Sequence, residues 1–310
     1  AKSMTEIKKL KKVLSKEFEM KDMGAASRIL GIDIIRNRSE GTLCLSQTSY
    51  LERVIQKFIM DGAKVVNTPI GAHFKLSSVH NDDERVGSEK VPYSSVVGSL
   101  MYAMIGTRPD IAYAIGLVSR FMSKPGKVHW TAIKWLLRYL KGSTGLNLMY
   151  TKGSDFKVQG YCDSDHAADL AKNRSISGYV FTMGGNTVSW NSCLQPVVAL
   201  STTEAEYIAL TEAVKEAMWI RNLLDDMMLG TETVEVWSDS QSALCLSKNN
   251  AFHERKKHIG KKYHFIRDII EAGEIRVHKI PTTRNPADML TKGIPVSKFE
   301  AVLEFLKLLR

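Results

Sequence analysis

Three acidic residues stand where strand-like stretches end or a helix begins. Asp163 follows Lys157-Val-Gln-Gly-Tyr-Cys162, Glu206 lies in the first turns of a helix opening at Ser201, and Asp239 follows Thr233-Val-Glu-Val-Trp237. Carboxylates that converge without an obvious Arg or Lys partner are the oxygen donor set of a hard divalent cation. Two such ions about 3.5–4 Å apart activate water and stabilise the leaving oxygen in phosphodiester cleavage. Asp288, after Asn285-Pro-Ala, is a fourth candidate, with Asn285 as N-cap and Pro286 in the first turn. Each has a plainer reading. Asp163 and Asp165 suit a turn after a strand, Asp239 with Ser240 suits a helix cap, and Asp288 suits the positive end of a helix dipole.

Glu206 is the hardest to explain away. In Ser201-Thr-Thr-Glu-Ala-Glu-Tyr-Ile-Ala-Leu210, Ser201 and Glu204 fit the S/T-x-x-E capping box, in which each side chain satisfies the other's backbone N–H. Glu206 lies on another face, in a stripe with Ala209, Leu210, Ala213 and Ala217. A carboxylate heading a small apolar stripe points towards a core, where an unpaired charge is strongly disfavoured. A cation should neutralise it.

The elements that position these acids follow from periodicity. Strands are expected at 157–162, 178–182 and 187–190, with Gly184-Gly-Asn186 turning the hairpin between the last two. A helix spans 201–228, with a break expected near Arg221; a strand at 233–237 runs into a helix at 240–247. A helix at 258–272, a strand at 274–280 and a further helix complete an α/β layer on a mixed sheet. If the first and fourth strands are neighbours, both aspartates emerge at one edge and Glu206 can approach them. Upstream lie an amphipathic helix at 4–18, a strand at 28–35, a second strand at 42–45 and a helix at 47–60. The polar, Pro- and Gly-broken run 61–92 reads as a long loop or linker, partly mobile. Helices at 93–105, 109–122 and 128–140 follow, with Thr107 as candidate cap.

The chain has 310 residues and 43 Lys+Arg against 33 Asp+Glu. A net charge of +10 and a pI of about 9.3 suit a polyanionic partner such as nucleic acid. No apolar run approaches the roughly 18 to 20 residues of a membrane helix, so no membrane partner is expected. The Lys-rich, helical first 20 residues do not fit a signal peptide, and a start at Ala1 suggests a fragment or processed product. The four cysteines, Cys44, Cys162, Cys193 and Cys245, form no C-x-x-C pair and read as buried thiols in a reducing compartment. His253 to His264 is the densest basic stretch, and on a helix Lys257 and Lys261 share a face while Lys262 shares one with His258. It suits a phosphate backbone, or simply a solvated helix face. Ser240 and Gln241, with Trp190 and Asn191, are further candidate nucleic-acid contacts.

The ordered set of motifs resembles the ribonuclease H domain of copia-type LTR retrotransposon Pol polyproteins. It comprises Tyr161-Cys-Asp-Ser-Asp165, Arg174-Ser-Ile-Ser-Gly-Tyr-Val-Phe181, Ala199-Leu-Ser-Thr-Thr-Glu-Ala-Glu-Tyr-Ile-Ala209, Ser238-Asp-Ser-Gln-Ser-Ala243, Tyr263-His-Phe-Ile-Arg267 and Ala287-Asp-Met-Leu-Thr-Lys292. Phe18-Glu-Met-Lys-Asp-Met-Gly24, Val97-Gly-Ser-Leu-Met-Tyr102, Thr107-Arg-Pro-Asp-Ile-Ala112 and Leu137-Arg-Tyr-Leu-Lys-Gly142 are similar to the end of the same polyprotein's reverse transcriptase. His166, Ala168 and Gly260 depart from the family pattern, in which Trp, Gly and an acidic residue are usual.

The resemblance implies a ribonuclease H-like mixed five-stranded sheet with flanking helices, preceded by a β-hairpin and a mostly helical thumb/connection region. It implies five segments: the end of the palm, the hairpin and the start of the thumb (1–62), a linker (63–92), a helical thumb/connection region (93–150), a ribonuclease H domain (155–295) and a C-terminal helix (296–310). It implies an endonuclease that cuts the RNA strand of RNA–DNA hybrids, with Asp163, Glu206, Asp239 and Asp288 as catalytic and metal-binding residues and Mg2+, or Mn2+, as cofactor. Ser240, Gln241, Lys257, Lys261 and Lys262 would bind nucleic acid, and the upstream palm would be a partner. The family's Tyr-Val-Asp-Asp polymerase signature would lie upstream of Ala1, so polymerase activity is not expected of this chain alone. The expected location is cytoplasmic, in a virus-like particle, or nuclear. The alternative function is a catalytically silent nucleic-acid-binding fragment.

Overall fold

The computed structural model describes residues 3–58, 62–77, 91–153, 156–169, 172–230, 233–248 and 260–310, the side chains of 260–264 excepted. Helix α1 (Met4–Glu17) is capped by Ser3, whose Oγ accepts from Thr5 N, and none of its residues is buried. The expected strand at 28–35 is two strands, β1 (Arg28–Ile29) and β2 (Ile32–Asn37). Leu30 and Gly31 between them both take positive φ, at 48° and 78°, the conformation a two-residue hairpin turn requires. Strand β3 (Thr42–Ser46) pairs antiparallel with β2, and Asn37 Oδ1 accepts from Ser39 N and Glu40 N to close the turn. Helix α2 (Thr48–Lys57) follows.

The described part of the linker, 62–77, is tied down. Trp135 Nε1 donates to Thr68 O at 2.9 Å, a ring nitrogen of His129 lies 3.0 Å from Ser77 O, and Ile70 and Leu76 are buried. Its polar backbone is satisfied by side chains of the helix it crosses, which composition does not reveal.

Helix α3 (Tyr93–Gly106), a 3-10 turn at Pro109–Ile111, α4 (Ala112–Ser119) and α5 (Lys127–Ser143) form the helical layer. Thr107 does not cap the turn; its hydroxyl donates to Gln47 Oε1 at 2.8 Å. Arg108 and Asp110 form an ion pair of 2.6 Å with neither side chain exposed. Tyr139 Oη donates to Asp110 at 2.6 Å, and Arg108 also donates to Ser143 O at 2.9 Å. The buried charges are thus paired and hydrogen-bonded, as burial demands.

Strand β4 (Asn147–Thr151) adds to β3, and the last strand of the chain, β10 (Leu308–Leu309), adds to β4. The upstream hairpin therefore belongs to a five-stranded sheet of order β1-β2-β3-β4-β10, in which the C-terminus returns to the N-terminal region.

The second sheet is built from β5 (Val158–Asp169), β6 (Arg174–Met183), β7 (Asn186–Leu194), β8 (Val234–Ser238) and β9 (Ile275–Lys279). Its order is β7-β6-β5-β8-β9; the first three strands are antiparallel, while β8 runs parallel to both β5 and β9. Helix α6 (Thr202–Asp226) is unbroken at Arg221, which instead pairs with Glu274. Helices α7 (Gln241–Lys248) and α8 (Gly260–Glu271) precede β9, and α9 (Val296–Phe305) precedes β10. This is the ribonuclease H-like mixed sheet with flanking helices.

One face of the sheet buries Cys162, Phe181 and Val236 against Leu210, Ala213 and Ala217 of α6. The other buries Tyr161, Val180 and Leu290 in one core with Leu100, Leu136, Phe299 and Leu308. Among the described residues no helix is long and apolar enough to cross a membrane. All four cysteines are free; Cys44 and Cys162 are buried as expected, but Cys193 is half-buried and Cys245 exposed.

Candidate metal centre

The parallel ladder between β5 and β8 runs from Gln159↔Glu235 to Cys162↔Ser238. Asp163 on β5 and Asp239 just past the end of β8 come next, so both leave the ladder at the same edge. Strand β5 does not end at Asp163, however. It stays paired with β6, Asp163 opposite Gly178, and continues with a register shift to Asp169. The longer strand follows from its antiparallel partner, which outlasts the parallel one. Gly178 is needed here: a Cβ on it would come within 2.7 Å of Leu290 Cβ. Its absence lets the 3-10 turn Pro286–Leu290 lie over the strand and present Asp288.

Glu206 is delivered by α6. Ser201 Oγ accepts from Glu204 N at 3.2 Å, and Glu204 Oε2 accepts from Leu200 N at 2.9 Å. The capping box is thus closed one residue before the expected Ser201 N–H. Glu204, 6% exposed, is occupied by the cap, and Glu206 is left to face the sheet edge. Asp163, Glu206 and Asp239 each offer a carboxylate oxygen, and these atoms all lie within 4.8 Å of one another. Asp163 is 1% exposed, and Oε2 of Glu206 is buried without a hydrogen-bond partner.

Burial, reinforced by Asp163, pushes the Glu206 carboxyl up to about 8. Burial also raises Asp163, to about 7, with Lys292 opposing the rise and Asp288 adding to it. Two buried carboxyls that resist ionisation in the metal-free protein, with the Asp239 carboxylate beside them, form a site that gains most from a divalent cation.

The expectation that no cation neighbours the acids is corrected on one side of the site. Lys292 Nζ lies 3.3 Å from Asp163 Oδ2 and 3.2 Å from Asp288 Oδ1, and Lys298 pairs with Asp288 Oδ2. Thr291 Oγ1 donates to the same Oδ2 of Asp163. Burial works against the charge on Lys292, but Asp163 and Asp288 outweigh it and raise its pKa. Asp288 is therefore beside the triad, through Asp163 and Lys292, rather than within the triad's cluster. Asn285 caps its turn as expected, Oδ1 accepting from Ala287 N at 3.1 Å. The i,i+4 spacing of Asp288 and Lys292 was the sequence signal for this pair; nothing local signals that the lysine also reaches Asp163.

Ser240 stands next to Asp239 and is the cap of α7, its Oγ accepting from Ala243 N at 3.2 Å. Gln241 is exposed on the first turn, with its amide 3.5 Å from Cys245 Sγ. Trp190 is committed to the helical layer, its Nε1 donating to Met104 O at 3.0 Å. Lys257 lies outside the described residues, as do the side chains of Lys261 and Lys262. His166 sits on β5 with a ring nitrogen 3.2 Å from Ala199 O.

The family model described as reverse transcriptase (RNA-dependent DNA polymerase) matches residues 1–72. The retrovirus-related Pol polyprotein from transposon TNT 1-94 of Nicotiana tabacum is 52% identical over 301 residues, which is 96% of this chain and 23% of that relative. The chain thus spans about a quarter of the length of this relative. A putative transposon Ty5-1 protein of Saccharomyces cerevisiae is 34% identical over 212 residues, 67% of either chain. Among solved structures, the foamy viral protease–reverse transcriptase in complex with double-stranded DNA matches with a TM-score of 0.49 at 14% identity, over 82% of this chain and 44% of that one. With the family's motifs running in order along nearly the whole length, and relatives matched at these identities, the chain belongs to the retrovirus-related Pol polyproteins of copia-type transposons.

Proposed function

We propose that this chain is a metal-dependent endonuclease that cleaves the RNA strand of RNA–DNA hybrids, as the ribonuclease H end of a retrotransposon reverse transcriptase. The observation that carries the reading is the convergence of Asp163, Glu206 and Asp239 at one sheet edge, with Glu206 Oε2 buried and unpartnered. An all-oxygen donor set with an orphaned carboxylate oxygen fits Mg2+ or Mn2+ and does not fit a soft ion. Asp288 is the fourth acid of the site, and the mechanism would be the two-metal one. Bound there, the ions would supply Lewis-acid activation of water and charge stabilisation on the leaving oxygen.

The chain's own residues do the rest. Thr291 and Lys292 hold Asp163 by one oxygen and leave Oδ1 to a cation. The α6 cap fixes the turn that carries Glu206, and the end of β8 fixes Asp239. Ser240 and Gln241, next to Asp239 in the chain, would contact the RNA strand, whose 2′-hydroxyls would select it. Lys257, Lys261 and Lys262 would follow a phosphate backbone. Residues 155–295 act as the nuclease domain in this reading, 1–62 as the end of the palm, the hairpin and the start of the thumb, 63–92 as the linker and 93–150 as the thumb/connection region; the expected C-terminal helix of 296–310 ends at Phe305, and Leu308–Leu309 form β10. The upstream palm is the partner, and the place of action is the cytoplasmic particle or the nucleus.

The test is cleavage of end-labelled RNA–DNA hybrid with magnesium, wild type against Asp239→Asn. Equal cleavage by both sinks the reading. No cleavage by either, with retained salt-sensitive hybrid binding, makes the chain a silent nucleic-acid binder instead.

A further inference from the structure

Two acidic clusters share Asp163. One comprises Asp163, Glu206 and Asp239. The other comprises Asp163 and Asp288, and the chain fills it with its own ammonium, Lys292 Nζ, at 3.3 and 3.2 Å from the two carboxylates. The lysine is held there by construction. It sits four residues after Asp288, and its neighbour Thr291 is bonded to the same Asp163 oxygen and to Asp288 O. The side chains of Asp163 and Asp288 are 2% and 3% exposed, whereas that of Lys292 is 37% exposed. The acids are buried in place, and the lysine side chain reaches the surface.

Resting on the metal-centre reading above, we propose that Lys292 is the resident cation of the second cluster, so that the chain without nucleic acid takes one divalent ion, on Asp163, Glu206 and Asp239. A second ion must displace Lys292. The substrate's scissile phosphate is the group suited to draw it out, because its oxygens give the ammonium a new partner. Lys292 is then a positioning residue: it keeps the paired acids in place and sets when the second ion enters.

The test is a Mn2+ titration of the full chain without nucleic acid, followed by loss of the free-ion EPR signal. Wild type is expected to take one ion per chain, and Lys292→Met two. Lys292→Arg, which keeps the charge, is expected to return the stoichiometry to one. Asp239→Asn should lose the wild-type ion; if it binds manganese as wild type does, the metal-centre reading falls and takes this inference with it. If Asp239→Asn loses the ion but wild type takes two, or Lys292→Met stays at one, only the lysine's role is overturned. Anomalous scattering from manganese-soaked wild-type crystals repeats the test without a substitution. One peak, with Lys292 Nζ still between Asp163 and Asp288, is expected; two peaks with a displaced lysine overturn the proposal.

Discussion

At the scale of single residues, Glu206 carries a consequence that can be measured without substrate. A glutamate in the unfolded chain titrates near 4.3, whereas folding raises this carboxyl to about 8. Between those values the native state holds a proton that the unfolded state has released, so metal-free stability falls as pH rises through the window. Glu206→Gln removes the decline. At pH 8.5 the metal-free variant should therefore melt higher than wild type by about 5 °C or more, and at pH 5 the difference should be small. Magnesium should raise the wild-type melting temperature at pH 8.5 and leave the variant unmoved. A variant that melts lower than wild type at pH 8.5 would mean that the Ser164 hydrogen bonds to the carboxylate outweigh its burial. In hybrid cleavage, Glu206→Gln should abolish activity and Glu204→Gln should not, because Glu204 serves the cap. This division was legible in sequence, from the capping spacing and the small apolar stripe. Lys292 was not: its contact to Asp163 spans 129 positions, beyond any local pattern.

At the scale of elements, the second sheet and its helices could be read from periodicity because each strand there has alternation or a Gly-rich turn. The N-terminal sheet was half legible. The β2–β3 hairpin announces itself through Asn37 and Gly41, but β10 is two residues long and has no periodicity to show. Its burial is tertiary: Leu308 is 2% exposed and pairs with Leu148 of β4. Leu308→Ala should therefore cost roughly 2–4 kcal/mol, the range for emptying a core site. Chemical denaturation gives the value, and a loss below about 0.5 kcal/mol, the surface range, would mean the C-terminal strand is not docked in solution. Ser201→Ala should cost about 1 kcal/mol, through loss of the α6 cap.

At the scale of the whole molecule, the segments read from sequence do not correspond to separate cores. The face of the second sheet opposite α6 is covered from within 155–295 by little more than the turn Pro286–Leu290. Tyr161, Val180 and Leu290 are completed by residues of the helical layer and by α9, and β10 ties the chain's end to the N-terminal sheet. Arg108, Asp110 and Tyr139 show how closed that layer is, since an ion pair survives there only because every partner is in place. A fragment cut to 155–295 would expose that apolar face, and patches of this kind drive association. The intact chain should accordingly unfold as one cooperative unit over its shared core. Urea denaturation followed by far-UV circular dichroism and by tryptophan fluorescence should give coincident curves, with tryptophans reporting from both the helical layer (Trp130, Trp135) and the second sheet (Trp190, Trp237). Leu290→Ala, at the junction and fully buried, should shift both curves together by roughly 2–5 kcal/mol. If the curves separate, or the substitution moves only one, the second sheet has a stability of its own and the shared core is dispensable to it.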